Sequence, residues 1–169
     1  MRQIIFRTVL GGLLVIGVVA SNPAAAASSA EILEFGYYEV QKEGQYYADG
    51  NIPSGVAQTG PTVKLVQKTQ VIPIAPGRLF GFQFRLKGFT ENDIEIRQVV
   101  SHPRMTRPDQ KTSTGFETRL SLSLKDGELS DYAGYRLNQD YEMVEGDWRF
   151  EFWHANKKLL EQKFKTVRR

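Results

Sequence analysis

Few residues of this 169-residue chain can do acid–base, nucleophilic or metal chemistry. There are two histidines, His102 and His154, and no cysteine. Without thiols the chain has neither a disulfide framework nor a thiolate nucleophile. A Ser-His-acid relay would have to place one of the two histidines beside a serine and a carboxylate. The Gly-x-Ser-x-Gly elbow that presents a nucleophilic serine does not occur. His102 follows Ser101 in a stretch that also holds Pro103 and Pro108, so a hydrolase would use His102 with a nearby carboxylate there. His102 and Met105 stand three apart in His-Pro-Arg-Met, and an imidazole with a thioether suits copper. A metal carrier using His102 and Met105 is therefore a second alternative. Against it, Arg104 puts a cation beside a cation site, and zinc would need three or four ligands. Asp126, Glu128 and Asp131, or Asp49 and Asn51, lack the spacing of a calcium loop and read as solvated turns. No metal or cofactor is expected.

Aromatic side chains are the stronger binding signal. Trp148, Phe150 and Phe152 alternate with Arg149, Glu151 and Trp153, so if the first set faces a core, Trp153 faces out. Tyr46 and Tyr47 are adjacent in a Gly- and Pro-rich segment. Exposed aromatics suit stacking on carbohydrate or packing on a protein partner. The alternative for Trp153 is burial under the chain's own loops. The candidate binding residues are thus Trp153, Tyr46, Tyr47, His102 and Arg104, with no catalytic residue assigned.

The elements that would position these residues have period two. Phe80, Phe82, Phe84 and Leu86 share one face, with Gln83, Arg85 and Lys87 on the other, as in a half-buried strand. Leu120, Leu122 and Leu124 repeat the form against Ser121 and Ser123, and Asp126-Gly127 marks a turn. Ile94 and Ile96 alternate with Glu95 and Arg97. Trp148 to Phe152 leads through His154-Ala155-Asn156-Lys157 to a return strand with Leu160, Phe164 and Thr166 inward, a closing hairpin. Further strands are expected in Glu31–Gln41 with Gly36 at a bulge, in Thr62–Ile74, and in Tyr135–Val144. Glu43–Pro61 and Ser101–Gly115 read as long loops, where binding residues tend to sit. Seven or eight short strands without an amphipathic helix predict an all-β, antiparallel immunoglobulin-like sandwich, a small barrel being the alternative.

The first 27 residues carry a different message. Arg2 and Arg7 precede the apolar run Val9–Ala20, and Ser21-Asn22-Pro23 and Ala24–Ala27 follow. This is the layout of a cleavable signal peptide, cut after Ala26 or Ala27. Twelve apolar residues are short of the roughly 20 a spanning helix needs, so no stable membrane anchor is expected. The organisation read here is a signal peptide over 1–27 and one β-sandwich domain over 28–169, in the periplasm or secreted. The whole chain carries 22 Lys+Arg against 19 Asp+Glu. Both leader arginines leave with the signal and no acid does, so the mature domain is close to neutral. The C-terminal Lys157, Lys158, Lys163 and Lys165 alternate with apolar residues and read as a solvated strand face rather than a nucleic-acid surface.

The run Gly146-Asp147-Trp148-Arg149-Phe150-Glu151-Phe152-Trp153, with Lys158, Leu159 and Phe164, resembles the last hairpin of bacterial exported immunoglobulin-like domains. With Phe35-Gly36-Tyr37-Tyr38 and Ser101-His102-Pro103, most of residues 31 to 167 resembles a bacterial family of unknown function, DUF3859. The resemblance implies the sandwich fold and an exported location, and it brings no activity. The expected role is a non-catalytic binding or accessory module of the envelope, whose partner is another envelope protein or an envelope glycan.

Overall fold

The structure is a computed structural model that describes residues 28–168, so the signal-peptide segment lies outside the described residues. Eleven strands follow one another: β1 (Ser29–Lys42), β2 (Gln45–Ala48), β3 (Val56–Thr59), β4 (Thr62–Gln67), β5 (Val71–Pro73), β6 (Arg78–Lys87), β7 (Asp93–Thr106), β8 (Thr112–Ser123), β9 (Leu129–Leu137), β10 (Gly146–His154) and β11 (Lys157–Val167). Nine of them build two facing sheets, ordered β4-β1-β6-β9 and β5-β11-β10-β7-β8, and β2 and β3 form a separate hairpin. All pairings are antiparallel except β5 with β11.

The alternation of β6 and β10 makes the core. Phe80, Phe82, Phe84 and Leu86 of β6 face Trp148, Phe150 and Phe152 of β10 across the sandwich, all fully buried. Their rings interlock edge to face: Phe80–Trp148 at 5.1 Å and Phe84–Phe152 at 4.9 Å between centroids. Such pairs add about 0.5–1.5 kcal/mol beyond the burial of their area. The closing hairpin turns at Ala155 and Asn156, both at positive φ, which matches the right-handed twist of its strands.

Four segments differ from their sequence reading. Eleven strands stand where seven or eight were expected, because Glu43–Pro61 holds the β2–β3 hairpin rather than one long loop. Ser101–Gly115 is not a loop either. β7 runs to Thr106 and β8 starts at Thr112, and only a short turn with Gln110 at positive φ joins them. Pro103 is accommodated by a register shift between Ser101 and Met105, the irregularity a proline in a strand requires. The same shift explains why His102 and Met105, three apart, are both buried. The strand expected over Tyr135–Val144 begins instead at Leu129, and Asp140–Glu142 forms a turn of 3-10 helix. Thr62–Ile74 splits into β4 and β5, which belong to opposite sheets.

The outer face of the four-stranded sheet carries one unusual row. Gly36 pairs with Gly81, and Gly81 with Gly134, across β1, β6 and β9. The Tyr132 hydroxyl lies 2.7 Å from where a Cβ on Gly81 would stand. Tyr132 and Tyr38 meet edge to face over this row at 4.9 Å. The missing side chains make the trench, and the two tyrosines fill it.

Candidate functional site

The two sheets do not close on each other along the side where β8 and β9 are the outermost strands. The β2–β3 hairpin roofs this gap and leaves a cleft of about 180 Å³. At the hairpin tip, Ile52 is buried in the core, and the Tyr141 hydroxyl donates to the Pro53 carbonyl at 3.0 Å. At its base, Glu43 is gripped by Arg136 of β9. Nη1 donates to Oε1 at 3.1 Å and Nη2 to Oε2 at 3.2 Å. The Tyr46 hydroxyl and the Gln58 amide both donate to Glu43 Oε2 at 2.6 Å. Hydrogen bonds from Arg136, Tyr46 and Gln58 hold the Glu43 carboxyl down at about 2.

The cleft walls follow from strand parity. Phe116, Thr118, Leu120 and Leu122 of β8 turn inward, as does Gln98 of β7. On β9 the inward set is Asp131, Ala133 and Tyr135; Asp131 pairs with the core residue Phe84, so its side chain is on the core side. Asp131 Oδ1 accepts from the Tyr132 backbone N–H at 2.7 Å. No cation among the described residues forms an ion pair with it. Burial pushes its carboxyl above the ordinary aspartate value, against the pull of that one backbone hydrogen bond. Thr118 and Gln98 are 7% and 8% exposed, and neither side chain hydrogen-bonds another described residue. Deeper in, the Tyr135 hydroxyl donates to Glu142 Oε1 at 2.7 Å. Glu142 Oε2 accepts from the backbone N–H groups of Asn138 and Gln139, so this fully buried carboxylate is satisfied.

The expected binding residues fall in three places. Tyr46 and Tyr47 line the cleft, 54% and 43% exposed. Trp153 is on the outer face of the other sheet, half-buried between Arg97 and Lys158, whose charged groups sit 5.1 and 5.7 Å from its rings. Its indole N–H donates to Glu151 at 3.0 Å. Neighbouring strands rather than loops cover it. Arg104 is exposed near the end of β7.

His102 is not in a loop but on β7, where it is 5% exposed and packs against Trp148 at 5.3 Å. Its Nδ1 contacts the Pro103 carbonyl at 2.7 Å and its Nε2 the Ser113 hydroxyl at 3.2 Å. Both ring nitrogens thus lie against protein groups of β7 and β8. Among the described residues no cluster of three or more His, Cys, Asp or Glu could hold a metal ion. Among the described residues no carboxylate hydrogen-bonds His102. His154 meets the Glu95 carbonyl at 3.1 Å and packs on Phe89.

Sequence reasoning missed the core of this cleft. It took Asp131 for a turn residue, although its place two before Ala133 and four before Tyr135 in an alternating segment marked the inward face. Gln98 could have been found by the same parity, between Ile96 and Val100.

Two facing sheets, antiparallel but for β5, with a single aromatic core define an immunoglobulin-like β-sandwich, here with a hairpin folded over its open side. The chain belongs to the family described as a domain of unknown function, DUF3859, whose model matches residues 27–166. An immunoglobulin-like protein from Pseudomonas aeruginosa shares the fold at a TM-score of 0.60 and 23% identity, over 86% of this chain and 100% of that one. An alkylpurine DNA glycosylase from Pseudomonas fluorescens, bound to DNA with an abasic-site analogue, aligns at a TM-score of 0.41 and 12% identity, over 57% of this chain and 27% of that one. Among proteins of curated function none matches the sequence.

Proposed function

We propose that the mature domain is an exported, non-catalytic binding module of the cell envelope that takes a group of its partner into the cleft under the β2–β3 hairpin. The observation that carries this reading is the open side of the sandwich, where inward side chains of β8 and β9 line a cavity instead of meeting each other. A sandwich that served only as a spacer would gain by closing there, since each apolar side chain so buried adds roughly 1.5–3 kcal/mol. Tyr46 and Tyr47 at the mouth offer flat, amphipathic surfaces that suit stacking on a sugar of an envelope glycan or on a side chain of an envelope protein. The signal-like leader supports the location. A mature charge near zero gives no field to attract nucleic acid.

Saturation-transfer NMR with solubilised envelope glycan fragments, together with photo-crosslinking from position 47 in envelope preparations, tests this reading. Contact through the cleft should be lost in Leu122→Trp, which fills it, and kept in Trp153→Ala. A partner that is insensitive to Leu122→Trp, or contact with neither class, would overturn it. N-terminal sequencing of the exported protein should give a first residue of 27 or 28.

A second reading is favoured by the Ser113 Oγ to His102 Nε2 approach of 3.2 Å, the distance of a nucleophile–base pair. Ser113 Oγ also lies 2.8 Å from the Gly115 carbonyl, a competing acceptor for its proton, and the pair is not among the residues lining the cleft. Labelling of Ser113 by a fluorophosphonate, abolished in His102→Gln, would establish the hydrolase; an unlabelled protein removes it.

A further inference from the structure

The binding reading leaves Asp131, in the wall of the cleft, without a role. Asp131 is half-buried, and a carboxylate withdrawn in part from water gains from a cation or from several hydrogen-bond donors that replace the lost hydration. Glu142, a short way along the chain, has three donors. Asp131 has one, and it comes from the next residue. The nearest arginines in sequence do not serve it. Arg136 is on the opposite parity of β9 and is committed to Glu43. Arg85 faces outward, paired with Glu31. Apolar side chains line the cleft with Asp131: Phe84 pairs with it, Ala133 follows on the same face of β9, and Leu120 and Leu122 of β8 border the same cavity. Gln98 and Thr118 add polar groups that bond nothing else described, and both line the same cavity. An anionic point, two hydrogen-bonding groups and apolar side chains in one cleft make a defined chemical complement. Its volume of about 180 Å³ is near that of an engineered apolar cavity of roughly 150 Å³ that takes one benzene ring.

We propose that the cleft binds a small organic cation, an amine carried on a single ring or short alkyl body, with the Asp131 carboxylate as its counter-ion and Gln98 and Thr118 as hydrogen-bond partners. This rests on the reading of the cleft as the binding site and names the class of group that enters it. The amine forms an ion pair with Asp131, its body displaces water from Leu120 and Leu122, and the tyrosines of the hairpin close the mouth. Protonation of Asp131 removes the counter-charge, so binding strengthens as pH rises through its raised range. The other titratable groups lining this space are Tyr46, Tyr47, Tyr132, Tyr135 and Arg136. Tyr46, Tyr132, Tyr135 and Arg136 are all shifted upward, away from the carboxylate range.

Phenethylamine and its neutral counterpart 2-phenylethanol serve as probes, titrated into the mature domain at pH 7 and followed by NMR at the Thr118, Leu120 and Leu122 amides. Saturable shifts are expected with the amine and at least tenfold weaker binding of the alcohol. Asp131→Asn, which keeps the shape, should weaken the amine at least tenfold and leave the alcohol unchanged. Equal binding of the two probes, indifference to Asp131→Asn, or no saturable shift at millimolar amine would overturn the proposal. The broader reading fails separately, through Leu122→Trp. If that variant loses the envelope partner while wild type ignores the amine, the cleft is the site and the cation is wrong. If the partner is kept, both fall.

Discussion

Arg136 and Glu43, 93 residues apart, form a two-point ion pair that ties the roof hairpin to the edge of the four-stranded sheet. Exposed pairs of this kind contribute about 0.2–1 kcal/mol. Its position matters more than its strength, because the same glutamate collects Tyr46 and Gln58 from both hairpin strands. In Glu43→Gln, backbone amides of β2 and β3 should exchange about two- to five-fold faster, with the core strands unchanged. The folded carboxyl titrates near 2, below its ordinary value of 4.5. A depressed carboxyl contributes its stability above 4.5 and loses it as pH falls toward 2. Wild-type hairpin exchange should therefore approach that of Glu43→Gln in this window. Identical exchange in the two proteins at pH 7 would rule out the tie.

His102 gives the opposite part of the pH scale. Burial against Trp148 and Phe116 lowers its pKa below 6.5, outweighing the Pro103 carbonyl that pulls the other way. The unfolded chain then takes up a proton before the folded one does. Stability is full above about 6.5 and declines as pH falls below it, levelling off once the folded imidazole also protonates. Urea midpoints should drop between pH 7.5 and 5, and the drop should shrink in His102→Gln. A slope shared equally by both proteins would assign it elsewhere.

Three tyrosines of this fold test what a buried hydroxyl is worth. The Tyr38 and Tyr132 hydroxyls are buried without a hydrogen-bond partner among the described residues, and Tyr135 bonds Glu142. Tyr132→Phe removes an unsatisfied group and should leave the urea midpoint unchanged or higher. Tyr135→Phe strips a donor from a buried carboxylate and should lower stability by about 1–3 kcal/mol. Equal effects from the two substitutions would contradict the assignment. Gly134→Ala should also be costly, about 1–3 kcal/mol, since its Cβ would run into the Phe80 carbonyl and the Tyr132 ring.

Phe82 lies between Phe150 and Phe152 at 6.0 and 5.6 Å and is fully buried. Phe82→Ala should cost about 3–5 kcal/mol in chemical denaturation. Trp153→Ala, on the outer face of the other sheet, should change stability far less, since it loses two solvent-screened cation–π contacts and opens no cavity in the core. A reversal of that order would move the core to the wrong face of β10.

The all-β class, the inward faces of β6 and β10 and the closing hairpin were legible in the sequence because alternation of large apolar and polar residues is a local signal. Phe80 to Leu86 and Trp148 to Phe152 announce their faces without any partner in view. The β2–β3 hairpin was not legible, since Gly44, Gly50, Pro53, Gly55 and Gly60 mask two strands of only four residues each. His102 read as a loop residue because Pro103 breaks the alternation, and only the pairing of β7 with β8 shows the shift that absorbs it. The candidate site divides the same way. Tyr46 and Tyr47 stood out by type, whereas Asp131 became notable only when β9 was found at a sheet edge facing β8 across an unfilled gap. Which strands end up outermost depends on pairing between segments far apart in the chain, and local pattern carries no record of it. The sequence by itself determined which side chains face inward; the tertiary structure decided which inward-facing side chains meet a neighbour and which meet an open cleft.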